Sequence, residues 1–214
     1  MRVLITVGAT EEPIDPVRYI TTGSSGRMGR AMAKEALKRG HPVTLVAART
    51  EVSLPKNATI KRVRTAKEMI IKSLEEIAGG FDVLISTAAI ADYTPAYREK
   101  KIKSMNKTLN LKLKSNPKLT QIVKKKYGRV YVVAFKAEYD LPQSELMRAA
   151  YTKLKNENLD LVVGNDLKKN AMGSEKNEVV LLNKNGEYVF VPQDNKEKIA
   201  MRVWDLIEST YSKE

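Results

Sequence analysis

Cysteine is absent from the 214 residues, and histidine occurs once. The first absence excludes disulfides, thiolate nucleophiles, thiolate zinc sites and iron–sulfur clusters. The second excludes multi-histidine metal sites and two-histidine relays. No apolar run approaches about 18 residues, so no membrane-spanning helix is expected. The opening MRVLITVGAT reads as a strand and a turn, without the length or cleavage pattern of a signal peptide. A cytoplasmic protein without membrane association is expected.

What the chain has in excess is positive charge. Lys and Arg number 38 against 25 Asp and Glu, a formal net charge of +13. Such a field draws polyanions: nucleic acid, an anionic membrane or a phosphorylated small substrate. A lysine-rich surface without a specific target gives the same number, so the placement of the lysines matters more. Hydrophobic residues at 43% and charged residues at 29% are ordinary for a globular chain. The length suits one domain over residues 1–214.

The pattern along the chain is strand, helix, strand, helix. Val3–Val7, Val43–Ala47, Asp82–Thr87, Val130–Phe135 and Leu159–Val163 are short apolar runs rich in β-branched residues. Between them Gly26–Arg39, Lys67–Ala78, Pro117–Tyr127 and Gln143–Asn156 read as helices. Glu178–Leu182 and Tyr188–Val191 flank NKNGE and predict a hairpin, and Lys196–Glu208 predicts a closing helix. Buried strands alternating with helices imply an α/β fold: a doubly wound, mostly parallel, Rossmann-like sheet with helices on both faces. Ligands in that architecture sit at the carboxyl ends of the strands.

The residues after each strand are therefore the candidates. Beyond the first strand, Gly8 opens a segment through Arg18 and Thr22 to Gly23-Ser24-Ser25-Gly26-Arg27-Met28-Gly29. A glycine–serine turn opening a helix offers free backbone N–H groups and a positive dipole end, which is a phosphate site. A helix start capped by Ser24 or Ser25, with glycines for packing, is the structural alternative. After the third strand come Ser86-Thr87-Ala88-Ala89-Ile90-Ala91-Asp92, where small residues leave room for a ligand. Asp92 suits a metal, a hydroxyl, an amino group or a simple turn.

Arg98–Lys114 carries Arg98, Lys100, Lys101, Lys103, Lys107, Lys112 and Lys114 against Glu99 alone. This basic flap, within residues 95–115, suits a triphosphate that needs its charge neutralised. Leu109, Leu111 and Leu113 alternate with polar residues, so part of it is expected to be a strand. A solvated basic hairpin or a nucleic-acid patch is the alternative, weakened by thin aromatic interleaving. Asn116-Pro117 has the look of an N-cap and first-turn proline. Phe135 fits core filling or a stacking wall, and Asn165 ends the last parallel strand. His41 and Trp204 read as a turn residue and a core residue.

The stretch TGSSGRMGRAMAKEALKRG is similar to the fingerprint of nicotinamide-dependent short-chain dehydrogenases, and Tyr151-x-x-x-Lys155 is similar to their Tyr/Lys pair. Arg27 stands where that fingerprint needs glycine, and the glycine turn does not follow the first strand directly.

A longer set of segments resembles one family, the phosphopantothenoylcysteine synthetases, or phosphopantothenate–cysteine ligases. ITVGATEEPIDPVRYI with SSGRMG resembles the family's opening motif, and TAAIADYTP its AAVADYRP. Lys101-Ile102-Lys103, SNPKL, VAFKAE, LDLVVGND and SEKNEVVLL follow in the family's order. The resemblance implies a nucleotide-dependent ligase of coenzyme A biosynthesis. CTP, or ATP, would activate the carboxylate of 4′-phosphopantothenate as an acyl-nucleotidyl anhydride, with Mg²⁺, and cysteine would then displace the nucleotide. By position, Gly8, Ser24, Gly26, Gly29, Ser86, Thr87, Ala88, Asp92, Lys101, Pro117, Lys118, Leu119, Thr120, Phe135, Lys153 and Asn165 would meet the nucleotide. Arg18, Thr22 and Ala89 would meet phosphopantothenate, Arg18 across a homodimer interface. Lys101, Thr22 and Asp92 are the catalytic candidates. No residue is assigned to the metal, and no nucleic acid is expected as a partner. Two positions depart from the family: Thr22 replaces an asparagine tied to amide formation, and Glu157 replaces a pocket lysine, for which Lys155 is a substitute candidate. No decarboxylase domain precedes the ligase in this sequence, so ligation alone is expected.

Overall fold

The computed structural model describes residues 1–104, 108–169, 171 and 174–211. Lys107 of the basic run lies outside them. In chain order the elements are β1 (Val3–Val7), β2 (Glu11–Pro13), β3 (Tyr19–Thr21), α1 (Arg27–Lys38), β4 (Val43–Ala47), β5 (Thr59–Arg62), α2 (Ala66–Ala78), β6 (Val83–Ser86) and β7 (Tyr93–Pro95). They continue as β8 (Leu113–Ser115), α3 (Leu119–Lys126), β9 (Tyr131–Glu138), α4 (Gln143–Glu157), β10 (Leu161–Asp166), β11 (Lys176–Asn183), β12 (Tyr188–Asn195) and α5 (Lys196–Tyr211).

Eight strands form one sheet in the order β12-β11-β10-β9-β6-β1-β4-β5. The six from β10 to β5 are parallel, and β11 and β12 add an antiparallel hairpin at one edge. The expected doubly wound α/β architecture is therefore present. Every residue of β1 and of β4 is buried, which is why these strands read as apolar runs broken only by Thr6 and Thr44. Alternate side chains serve opposite faces. Val3, Ile5 and Val7 pack with Met32 of α1 and with Ile199, Val203 and Trp204 of α5. Leu4 packs on the other face with Met69 of α2, Val123 of α3 and Leu154 of α4. Each such large apolar side chain contributes about 1.5–3 kcal/mol on burial. Trp204 is 0% exposed, and its Nε1 donates to the Met32 carbonyl at 3.0 Å, so the indole leaves no polar group unmet.

From β1 the chain builds β4 and β5 on one side, then crosses to lay β6, β9 and β10 on the other. The carboxyl ends of β1 and β6 thus flank the point where winding reverses. Two small hairpins, β2–β3 and β7–β8, stand beyond that edge of the main sheet. The basic run expected to carry a strand near Leu109–Lys114 is extended only at Leu113–Ser115.

Candidate active site at the carboxyl ends of the strands

The loops after β1 and β6 are stitched together. Ala89 N donates to Gly8 O at 2.9 Å, and Thr10 N to Ala89 O at 3.2 Å. Thr87 Oγ1 donates to Thr6 O at 2.6 Å, and Ala91 N to Thr10 Oγ1 at 3.0 Å. Side chains that bond backward into the strands leave a floor of Ala88, Ala89 and Ala91, interrupted by Ile90, beneath a cavity.

Helix α1 is drawn down onto this floor. A Cβ built on Gly29 would lie 2.5 Å from Val7 Cγ2 and 2.6 Å from Thr87 Oγ1, so no larger residue permits the approach. Gly8 has a φ of 90° and would press a Cβ to 2.2 Å from the Arg49 carbonyl oxygen. Its part is to close the turn after β1, and it lines neither of the cavities described next. The N-cap of α1 is Gly26, with no side-chain hydrogen bond to the helix start. Neither Ser24 nor Ser25 caps it, contrary to the structural alternative, because the turn enters through a left-handed residue that directs both serines elsewhere.

Two cavities meet over the floor and share Ala88, Ala89, Phe135 and Ala137. The first, of about 220 Å³, is bounded by Ser86, Asp92, Pro117–Thr120 and Lys153. The second, of about 190 Å³, is bounded by Ser24, Gly26, Gly29, Thr87 and Asn165. Most residues singled out in the sequence thus converge from six separate segments. Phe135, the residue with two readings, packs on the core and walls both cavities.

Lys118 pairs with Asp92 across the mouth of the first cavity. Lys153 Nζ lies 2.7 Å from Glu157 Oε1, and the hydroxyl of Thr120 donates to the same carboxylate, which is 8% exposed. Glu157 therefore sits as a buried acceptor that holds Lys153. Lys155 does not take the vacated role: it is exposed, with its ammonium 5.5 Å from the Tyr151 ring, and lines neither cavity. The same observation separates the Tyr151/Lys155 pair from the cleft. Asn116 is not an N-cap. Its Nδ2 donates to Ala91 O at 2.9 Å, and α3 starts later, with Lys118 as N-cap and no side-chain cap.

Arg18, Thr22 and Lys101 line neither cavity. Thr22 and Lys101 are exposed. Arg18 is held beside Asp15, with Nη1 2.6 Å from Asp15 Oδ2. The Asp15 carboxyl is held down to about 2, above all by the Ile102 N–H, with the Val17 and Arg18 N–H groups and the Arg18 side chain assisting and burial opposing.

Sequence reading missed one cation in the second cavity. Lys196 opens α5 and reaches the Ser174 carbonyl. Burial above all, and then the neighbouring Arg27, lowers its pKa. Asn177, 7% exposed, also lines this wall. A lysine at a helix start carries no motif, and only the β11–β12 hairpin brings it here.

The family described as DNA/pantothenate metabolism flavoprotein C-terminal domain matches residues 1–211. A coenzyme A biosynthesis bifunctional protein CoaBC of Thermococcus kodakarensis is 43% identical over 210 residues, 97% of this chain and 51% of that protein. The CoaBC of Methanocaldococcus jannaschii is 41% identical over 185 residues, 86% of this chain and 45% of that protein. The chain thus spans about half the length of the curated relatives it matches. Among solved structures, the DNA/pantothenate metabolism flavoprotein of Streptococcus pneumoniae superposes with a TM-score of 0.87 at 27% identity, covering 98% of this chain and 99% of that one. A Cab2 variant in complex with phosphopantothenate-cysteine superposes with a TM-score of 0.78 at 19% identity, covering 99% of this chain and 88% of that one, a likeness of fold alone. By sequence along nearly all its length and by fold, the chain belongs to the family of the DNA/pantothenate metabolism flavoprotein C-terminal domain.

Proposed function

We propose that this protein joins 4′-phosphopantothenate to L-cysteine through an acyl-nucleotidyl intermediate, with CTP as the activating triphosphate. The observation that carries the reading is the pair of confluent cavities, which share Ala88, Ala89 and Phe135 between the uncapped start of α1 and the start of α3. Residues expected to meet the nucleotide line both cavities, so together they suit a nucleoside triphosphate, with Ala89 where the reacting group would join it. The names of the CoaBC relatives support the pathway.

In the first step a carboxylate oxygen of phosphopantothenate attacks the α-phosphorus. The Pα–O bond to the β-phosphate breaks, and pyrophosphate leaves with that electron pair. In the second, the amine nitrogen of cysteine attacks the acyl carbon. The carbon–oxygen bond breaks, cytidine monophosphate leaves, and the amine loses a proton. Neither step needs a protein nucleophile, in keeping with a chain that has no cysteine. What the protein supplies is placement and positive charge. The free N–H groups of α1 receive phosphate oxygens, Phe135 walls the nucleotide, and Lys101, exposed and outside both cavities, would extend its side chain to the reacting phosphate once the triphosphate is bound. Among the described residues bounding the two cavities, Asp92 is the one carboxylate, and it pairs with Lys118, so it would be at most one protein ligand to a Mg²⁺ carried by the triphosphate. That ion would supply charge neutralisation on the phosphates.

Arg18 holds the phosphopantothenate of a partner copy in a homodimer. Val17, Tyr19 and Tyr97, at 60%, 41% and 53% exposed, are apolar groups on the same side that such a partner would cover.

Pyrophosphate release that depends on both CTP and phosphopantothenate, followed by cysteine-dependent product, tests the reading. Lys101→Ala should lower that release by about 10²–10³-fold, the scale of losing one transition-state charge donor. Its thermal midpoint should not move, because the side chain is exposed. Stabilisation by NADPH instead of a triphosphate would overturn the ligase reading.

A further inference from the structure

The basic segment that carries Lys101 is bracketed by two anchors on a single turn. Arg98 N donates to Ile14 O at 2.9 Å. Four residues on, Ile102 N donates to Asp15 Oδ2 at 3.0 Å, and the Ile102 carbonyl accepts from Arg18 Nη1 at 3.1 Å. Lys101 lies between these points, so its backbone is fixed at both sides while its side chain stays exposed. Asp15 is the hub. At 2% exposed, it spends Oδ1 on the N–H groups of Val17 and Arg18, both at 2.8 Å, and Oδ2 on Ile102 N and the Arg18 guanidinium. The first pair only shapes the β2–β3 turn. Of the second pair, Arg18 belongs to the same turn, but Ile102 N lies 87 residues along the chain and has no part in forming it. A carboxylate this buried requires its partners, and here one of them is the arm.

We propose that Asp15 is the positioning residue of Lys101: through Oδ2 it ties the Ile102 backbone and Arg18 into one clasp that fixes the reach of the lysine. The inference rests on the proposed role of Lys101, and its test separates the two.

Asp15→Asn keeps an oxygen for the turn and puts an amide where Oδ2 accepted, so it breaks the clasp selectively. Three measurements follow: amide exchange at Ile102, pyrophosphate release, and release in the Lys101→Ala background. Exchange at Ile102 should quicken about tenfold, the opening of a hydrogen bond worth roughly 1.4 kcal/mol. Pyrophosphate release should fall about tenfold in kcat with the KM for CTP within about threefold, since the loss is in alignment of the charge, not in ground-state binding. In the Lys101→Ala background the same substitution should change nothing further, because a residue acting through another has no effect once that other is gone. An equal fall in both backgrounds would mark a merely structural role and overturn the inference, as would unchanged turnover in Asp15→Asn. Normal turnover by Lys101→Ala would overturn the functional reading and the inference with it. Should Asp15→Asn fail to fold, Ile102→Pro removes the arm's donor and leaves the turn intact. It should show the same kcat loss and the same absence of effect without Lys101, and the contrary result overturns the inference equally.

Discussion

Helices α1 and α2 both start at the carboxyl edge of the same parallel sheet, and they treat their first N–H groups in opposite ways. At α2 the N-cap Thr65 accepts from Glu68 N, and the Glu68 side chain returns a bond to the cap, a complete capping box. A second carboxylate, Glu12, 2% exposed, then accepts from Ala66 N at 2.8 Å. At α1 the N-cap is Gly26, no side chain caps it, and the first turn holds no acid. Four orphan donors at a helix start must find partners. At α2 the protein's own oxygens are those partners. At α1 the helix start borders a cavity lined by Ser24–Gly29 and Lys196, and on the proposed reading the triphosphate supplies the acceptors there. On the proposed reading, one sheet edge holds a stability element and a binding element side by side, set apart by whether a carboxylate is encoded nearby.

The largest expected effect comes from lifting α1 off the sheet. Gly29→Ala places a methyl carbon 2.5 Å from Val7 Cγ2 in a packed core. Overpacking of this kind costs about 1–3 kcal/mol. The helix start must also rise, so the stabilisation that CTP and Mg²⁺ confer in a thermal-shift titration should vanish along with it. Retained CTP stabilisation at full strength would mean that the donors of α1 are not the phosphate site.

Glu12→Ala attacks the other start. Ala66 N would be left buried without its acceptor, at a cost of about 1–3 kcal/mol. Denaturant unfolding should report that loss, while the KM for CTP in the folded enzyme stays as it was. A raised KM would mean that the two helix starts are not independent.

How far these features could be read from the sequence follows from how locally they are encoded. The ends of β1 and β4 fall where the apolar runs end, because strands buried on both faces are apolar at nearly every position. β5, as Thr59–Arg62, has only intermediate and exposed positions, and a polar edge strand carries no periodic signal. The hairpins β2–β3 and β7–β8 are three residues a side, too short to show alternation. β9 runs on through Lys136–Glu138 because it pairs there with Gly164–Asp166, a long-range cause that the apolar run VYVVAF cannot reveal. In the site, the glycine–serine turn and the Ser86–Asp92 segment were visible because each is a local chemical pattern following a strand. Glu12 as a cap, Asp15 as a clasp and Lys196 as a cavity cation were not, since each meets a partner far along the chain. Asp15 in particular sits in DPVRY, which reads as a turn aspartate, and half of its bonding does serve that turn.

The smallest expected effect sharpens the comparison by making α1 more like α2. Ser24→Asp would supply the carboxylate that the α1 start lacks. A negative charge near a helix amino end stabilises by about 0.3–1 kcal/mol. For a chain of this size that is a rise of about 1–2 °C in Tm without ligand. The same carboxylate would face the phosphates of a bound triphosphate as a like charge, so the KM for CTP should rise as the bare protein becomes more stable. Stability and binding are therefore expected to move in opposite directions from one substitution. If both improved, or if binding were indifferent, the free donors of α1 would have no anionic ligand to lose, and the contrast with α2 would reduce to a difference in capping alone.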